Sequence, residues 1–240
     1  MIEWLRDADL VPTIELSGRA VPIELNRHAR ARRLTLRLAP DGSAVRITLP
    51  RWCRSAEAIK FAAIRREWLE AQLAKVPEPQ DPVARGTLRH CGAELAIRWE
   101  ESLPRRIRRE SDILLVGGPR ETLAKRLQRW LESEALGLMQ TDLAMFCERA
   151  GLAPPDLRLT RAQRRWGSCS STGTVRVNWR LVQAPDHVRR SVVAHEVAHL
   201  VHFDHSPAFH ALLERVYGGP LDEADRWLKR NGRGLYADFG

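Results

Sequence analysis

The stretch Pro185-Asp186-His187-Val188-Arg189-Arg190-Ser191-Val192-Val193-Ala194-His195-Glu196-Val197-Ala198-His199 decides how this chain is read. Pro185 suits the first position of a helix, and the run from His187 to Phe203 has a helical pattern. Residues four apart share a helical face, so the imidazoles of His195 and His199 converge on one point, with Glu196 beside them to take a proton from water. Val192, Val193, Ala194, Val197, Ala198, Leu200 and Val201 surround the motif with apolar side chains. A His-Glu-His face is costly to bury in such a setting unless a metal satisfies it. Further on, Ser206 is placed to cap a second helix with Pro207 at its first position, and the reversal swings His205 back to the pair. Three imidazoles with a fourth position open for water is the ligand set of a catalytic zinc site. His202 returns to the face of His195 but lies roughly 10 Å along the axis, so the expected ligands are His195, His199 and His205 and the expected general base is Glu196.

Upstream, Val175-Arg176-Val177-Asn178-Trp179 alternates like a strand and is expected to present an edge along the cleft, where an extended peptide pairs by its main chain. Arg165 and Trp166 are candidates to line a substrate cleft, Gly167 to allow close backbone approach and Asn178 to donate a hydrogen bond. Packing explains a Trp-Gly corner equally well, and an asparagine in a strand is more often a turn or edge residue. Cys169 reads as a small packed side chain. His210 and Tyr217 are at helical positions that suit surface or core better than an oxyanion donor, and His28, His90 and His187 read as ordinary residues.

The N-terminal half has a different period. Pro22–Asn26, Arg33–Leu38 and Val45–Leu49 alternate apolar and polar residues, as a half-buried antiparallel sheet requires. A helix from about Ser55 to Lys75 follows, with Ile59, Ala63, Trp68 and Leu73 expected to be buried, and ends at Pro77, Pro79 and Pro82. Strand-like pieces resume at Thr87–His90, Glu94–Trp99, Arg105–Arg108 and Asp112–Val116 and are expected to extend the same sheet. Gly117-Gly118-Pro119 breaks the pattern before an amphipathic helix from about Arg120 to Arg149, stopped by Gly151. The expected organisation is a β-rich domain over 1–118 and a catalytic domain over 119–240, with no internal repeat.

Composition narrows the class. The chain has 240 residues, 44% hydrophobic and 29% charged, which is ordinary for a globular protein. Met1–Asp7 lacks the positive-then-apolar order of a secretory signal, and no apolar run approaches the roughly 20 residues that span a bilayer. A cytoplasmic location and no membrane partner are expected. Cys53, Cys91, Cys147 and Cys169 are scattered without a C-x-x-C pair and read as reduced thiols. The net charge of +9 fits a nucleotide or nucleic-acid partner, although arginines spread along the chain also fit a general solubility bias.

Arg165-Trp166-Gly167-Ser168-Cys169-Ser170, then Asn178-Trp179-Arg180-Leu181, then His195-Glu196-x-x-His199 and His205-Ser206-Pro207-x-Phe209, resemble the YgjP-like metallopeptidase family, relatives of the SprT-like and WLM zincins. The resemblance is most specific over about residues 158 to 217, and the extra His202 departs from it. It implies an α+β fold with a minimal zincin core, Zn²⁺ on His195, His199 and His205, and a peptide or protein substrate. Two rival functions stay in view. The same chemistry reaches the phosphoanhydride of a nucleoside triphosphate, as in a pyrophosphatase, although phosphate substrates favour Mg²⁺ or Mn²⁺ on carboxylates. A nucleic-acid-associated module with a zinc site would use the arginines Arg27, Arg30, Arg32 and Arg33, but has no need of Glu196.

Overall fold

The computed structural model describes residues 11–239, so the Met1–Asp7 segment lies outside the described residues. The fold is α+β, and the chain divides into two compact units after Glu78. No described helix is long and apolar enough to cross a membrane, and the four cysteines are free.

The first unit is a four-stranded sheet of β1 (Thr13–Leu16), β2 (Arg19–Arg27), β3 (Thr35–Leu38) and β4 (Val45–Leu49), with α1 (Ser55–Ile64) and α2 (Arg66–Leu73). Its order is β1-β2-β4-β3. Ser17 and Gly18, both at positive φ, form the two-residue turn that matches strand twist between β1 and β2. The single helix expected over Ser55–Lys75 is broken at Arg65, and its buried line is Ala58, Ala62 and Leu69. The line keeps one helical phase across the break but lies a residue away from the one expected, so Ile59 and Leu73 are half-buried at its margin while Ala63 and Trp68 are exposed. Trp68 is 44% exposed.

The second unit opens with a short α3 (Pro82–Arg85) and a sheet of β5 (Thr87–His90), β6 (Ala93–Trp99), β7 (Arg108–Glu110) and β8 (Ile113–Val116), in the order β5-β6-β8-β7. These strands form their own sheet and do not extend the first. The two sheets share one plan: a hairpin closed by two positive-φ residues, here Cys91 and Gly92, a central parallel pair, and an antiparallel edge. The topology therefore repeats where the sequence shows no repeat, and each sheet is mixed, antiparallel pairs flanking one parallel pair. The boundary expected near residue 118 falls inside this unit. Leu88, Leu95, Leu114 and Val116 belong to the same buried core as the helices that follow.

Those helices are α4 (Leu123–Ala150), α5 (Asp186–Ala198), α6 (Pro207–Tyr217) and α7 (Leu221–Asn231). Leu123, Leu127, Leu131, Ala135, Met139 and Leu143 bury a stripe of α4 at four-residue spacing, and Gly151 at φ 72° ends the helix. Between α4 and α5 lies a three-stranded sheet of β9 (Leu157–Thr160), β10 (Gly167–Cys169) and β11 (Val175–Asn178), ordered β10-β11-β9. The β5–β6 turn docks on the segment leading into α5, through Cys91 N–H to Val182 O (2.6 Å) and Gly92 N–H to Gln183 O (3.2 Å). A Cβ at Gly92 would lie 3.0 Å from Pro185, so only glycine fits this approach comfortably.

His90, 3% exposed, ends β5 with its ring 5.2 Å from that of Trp130. Arg109 Nη1 lies 3.3 Å from its Nδ1 and Glu134 Oε2 3.5 Å from its Nε2. Burial first, then the charges of Arg109 and Arg189, hold its pKa down at about 4, while Asp186 opposes them. An unfolded histidine takes a proton near pH 6.5 that the folded one refuses until about pH 4. The contribution is complete above pH 6.5 and is lost as the pH falls through that window, by roughly 2–3 kcal/mol. Urea midpoints at pH 7 and pH 4.5 should therefore differ less in His90→Gln than in the parent chain, and equal differences would disprove the assignment.

Candidate active site

Helix α5 is fixed before it presents anything to the cleft. Val188, Val193, Ala194, Val197 and Ala198 are fully buried. Arg189, 3% exposed, joins Asp142 of α4 (Nε to Oδ2, 2.8 Å) and Asp186 (Nη1 to Oδ1, 2.6 Å). Removing either partner of the buried Arg189–Asp142 pair strands a charge away from water, so the pair holds α5 in place on α4. Nothing in the residue pattern singled out Arg189 or Asp142, which lie 47 positions apart.

The α-helix ends at Ala198, five residues earlier than the expected run to Phe203, and Pro185 occupies the cap position rather than the first turn. The early end frees the chain to curl back: Ser206 caps α6 by accepting from Phe209 N–H, with Pro207 in its first turn. His195, His199 and His205 meet as a result, each offering one ligand atom within 4.8 Å of the others. His195 Nε2 lies 3.1 Å from His199 Nε2 and 3.4 Å from His205 Nε2. Three nitrogens bound about 2.05 Å from a tetrahedral ion would lie about 3.3 Å apart, so the donor set fits such an ion.

His199 Nδ1–H donates to the backbone carbonyl of His202 at 2.9 Å, which leaves its Nε2 lone pair facing the cluster. His202 thus serves through its main chain. Phe209, wholly buried, packs against all three imidazoles, with ring centroids 4.6–5.0 Å away. The pattern gave Phe209 no role, and its place four residues after His205, in the first turn of α6, was the available signal.

Glu196 is 4% exposed, and burial pushes its carboxyl up to about 7 against the opposing charge of Arg165 and a hydrogen bond from Cys169 N–H. Its Oε2 has no hydrogen-bond partner among the described residues. Gly167 lies directly against it: a Cβ there would stand 2.3 Å from Oε1 and 2.8 Å from Cδ. Gly167→Ala must displace the carboxylate, and a shift of about 1 Å at a reacting group costs about a hundredfold. Turnover that uses this carboxylate should fall by that order while the thermal midpoint changes little. Full activity in the alanine variant would show that the carboxylate has room to spare.

A cleft of about 1000 Å³ brings Arg165, Trp166, Gly167, His195, Glu196 and His210 together. Its far side is the turn and first residues of α7, from Gly219 to Arg226. Trp166 is held by Tyr236, ring to ring at 5.8 Å. Asn178 is elsewhere: it is 0% exposed, accepts from Arg180 N–H and donates to Ala162 O and Tyr236 Oη. It builds the turn after β11 and does not face the cleft. Tyr217 donates to His187 O at 2.9 Å and is likewise structural. The expected edge strand is corrected too. β11 is central, and the free edge beside Glu196 belongs to β10.

The family model described as YgjP-like, metallopeptidase domain, matches residues 32–231. The chain belongs to the YgjP-like family. It is accordingly a metallopeptidase, a hydrolase whose family acts through a metal ion on peptide or protein substrates. Among solved structures it is similar to the metallopeptidase zymogen of Pyrococcus abyssi abylysin, at 22% identity and a TM-score of 0.36, covering 40% of this chain and 96% of that one. A search of curated proteins finds no match. As in the sequence motif of this YgjP-like chain, the matched span contains all three clustered histidines and Glu196.

Proposed function

We propose that this YgjP-like chain is a zinc-dependent peptidase in which His195, His199 and His205 hold the ion and Glu196 is the general base. The observation that carries the reading is the cluster of three imidazoles, with His195 Nε2 3.1 Å from that of His199 and 3.4 Å from that of His205, beside a buried carboxylate whose Oε2 is unsatisfied among the described residues. Imidazole-only ligation suits Zn²⁺ better than Mg²⁺ or Mn²⁺. When bound, the ion supplies Lewis acidity towards the scissile carbonyl and an acidified water. Glu196 accepts a proton from the attacking water at its free Oε2 and returns it to the leaving amine, a task suited to a carboxyl held near pH 7. Arg165 and His210, both lining the cleft, are the cationic and hydrogen-bonding groups available to the developing oxyanion.

The substrate is expected to lie extended along β10. Asn178 N–H to Trp166 O and Ser170 N–H to Thr174 O put Trp166 and Ser170 in bonded pairs with β11. Strand alternation then turns the main-chain groups of Gly167 and Cys169 outward. Glu196 takes the Cys169 N–H, leaving those of Gly167 for a peptide. The test is one zinc-loaded preparation given casein, a peptide library and a nucleoside triphosphate panel, before and after chelation. Peptide turnover that disappears with the metal and returns with Zn²⁺ is expected. Turnover of triphosphates alone would overturn the reading.

A further inference from the structure

The N-terminal unit carries a surface for which hydrolysis has no use. Two segments meet at the ends of β2 and β4, where His28 N–H donates to Leu49 O at 3.0 Å. Arg27 ties the second segment down by donating to Arg51 O (3.1 Å), Cys53 O (2.6 Å) and Ser55 Oγ (3.0 Å). Trp52 stands on this pinned turn, 77% exposed, the most exposed large apolar side chain among the described residues. Burying an indole side chain stabilises a fold by a few kcal/mol, so a tryptophan held out by a rigid turn is a feature with a purpose outside the fold.

Its surroundings indicate the chemistry. Arg51 and Arg54 flank it in the same turn, and Arg30, Arg32 and Arg33 lie in the segment that His28 joins to it. None of these five is in an ion pair among the described residues. Arg30, Arg32 and Arg33, with His28, Thr35 and Thr48, line a shallow cavity of about 600 Å³. A solvated basic edge that discourages strand pairing accounts for the arginines but not for the tryptophan. An amphipathic membrane anchor buries a broad apolar face, whereas Trp52 is a single ring among cations. Guanidinium groups that follow phosphates, beside an aromatic plane on which a base stacks, are the recognition elements of a single-stranded nucleic acid.

We propose that the face formed by Trp52, Arg51 and Arg54 with the Arg30-Ala31-Arg32-Arg33 segment binds single-stranded nucleic acid. Phosphate contacts supply the affinity and Trp52 stacks on one base. The 28–33 segment, an irregular loop turned by the Ala31 N–H bond to His28 O (3.1 Å), provides the charge, so no helix is offered to the groove of a duplex. The full chain is titrated by fluorescence anisotropy against labelled DNA and RNA strands of about 16 nucleotides, a DNA duplex, and phosphatidylcholine vesicles containing phosphatidylserine. Saturable binding to a single strand is expected, the DNA and RNA arms showing which sugar is preferred, with log K falling linearly with log salt. Trp52→Ala should weaken it about tenfold or more without changing the salt slope, because it removes a stack and no phosphate contact. Replacing Arg30, Arg32 and Arg33 together by alanine should flatten that slope. Circular dichroism and unchanged peptide hydrolysis in Trp52→Ala would show the fold intact. Absence of single-strand binding, equal affinity in Trp52→Ala, or tighter binding to the vesicles would overturn the proposal.

Discussion

Glu196→Gln is expected to lower peptide hydrolysis by about 10²- to 10⁴-fold while the chain still binds close to one equivalent of metal. The amide keeps the shape of the carboxylate in the gap left by Gly167, and its Oε1 still accepts from Cys169 N–H. It cannot take a proton from water. Metal analysis on the purified variant separates this outcome from loss of the ion, and retained turnover in a contaminant-free preparation would remove Glu196 from the mechanism.

The same substitution has a signature in the metal-free protein. Burial raises the Glu196 carboxyl from 4.5 to about 7, so between those values the folded chain holds a proton that the unfolded chain has released. The folded state therefore loses stability to the buried charge as the pH rises through that window, and glutamine, which does not titrate, does not. The variant's advantage should grow from nearly zero at pH 4.5 to about 3 kcal/mol above pH 7. His195, held down at about 4 chiefly by burial, contributes with the opposite sign, but it is present in both proteins and cancels in the difference. Chemical denaturation of both chains in chelator across this range is the measurement.

The second large effect concerns the third imidazole. His205→Ala should weaken zinc binding by more than about a hundredfold, measured by competition with a chromophoric chelator, whereas His202→Ala should stay within a few-fold. Loss of a second-sphere partner costs about 10- to 100-fold, and loss of a direct ligand costs more. His202 contributes its carbonyl to His199 Nδ1, and alanine retains that carbonyl. His205 places its own Nε2 3.4 Å from that of His195. The reverse order of effects would mean that the metal-bound chain closes around His202 instead.

Much of the site was legible because its parts are local. The i, i+4 spacing of His195 and His199 is a property of any α-helix, and Ser206-Pro207 is a helix start wherever it occurs. Gly167 and Trp166 were visible as candidates, yet their role was not, since the neighbour that makes Gly167 obligatory is Glu196, 29 positions away. Asn178 misled for the same reason: a polar residue in a strand looks available until its partners at Ala162 and Tyr236 are known.

By itself, then, the sequence determined the elements whose signals lie within one turn or one hairpin: the α5 motif, the cap of α6, the long stripe of α4, strands β4 and β5, and the YgjP-like character of the chain. The tertiary structure decided which strand is an edge, where α5 stops, how the eight N-terminal strands divide into two sheets of one plan, and which carboxylate neutralises Arg189. Those outcomes depend on which distant apolar surfaces exclude water together and on which buried charges find a partner, energies set by pairs of residues tens of positions apart. A residue pattern records its own period but not the identity of the surface that will cover it.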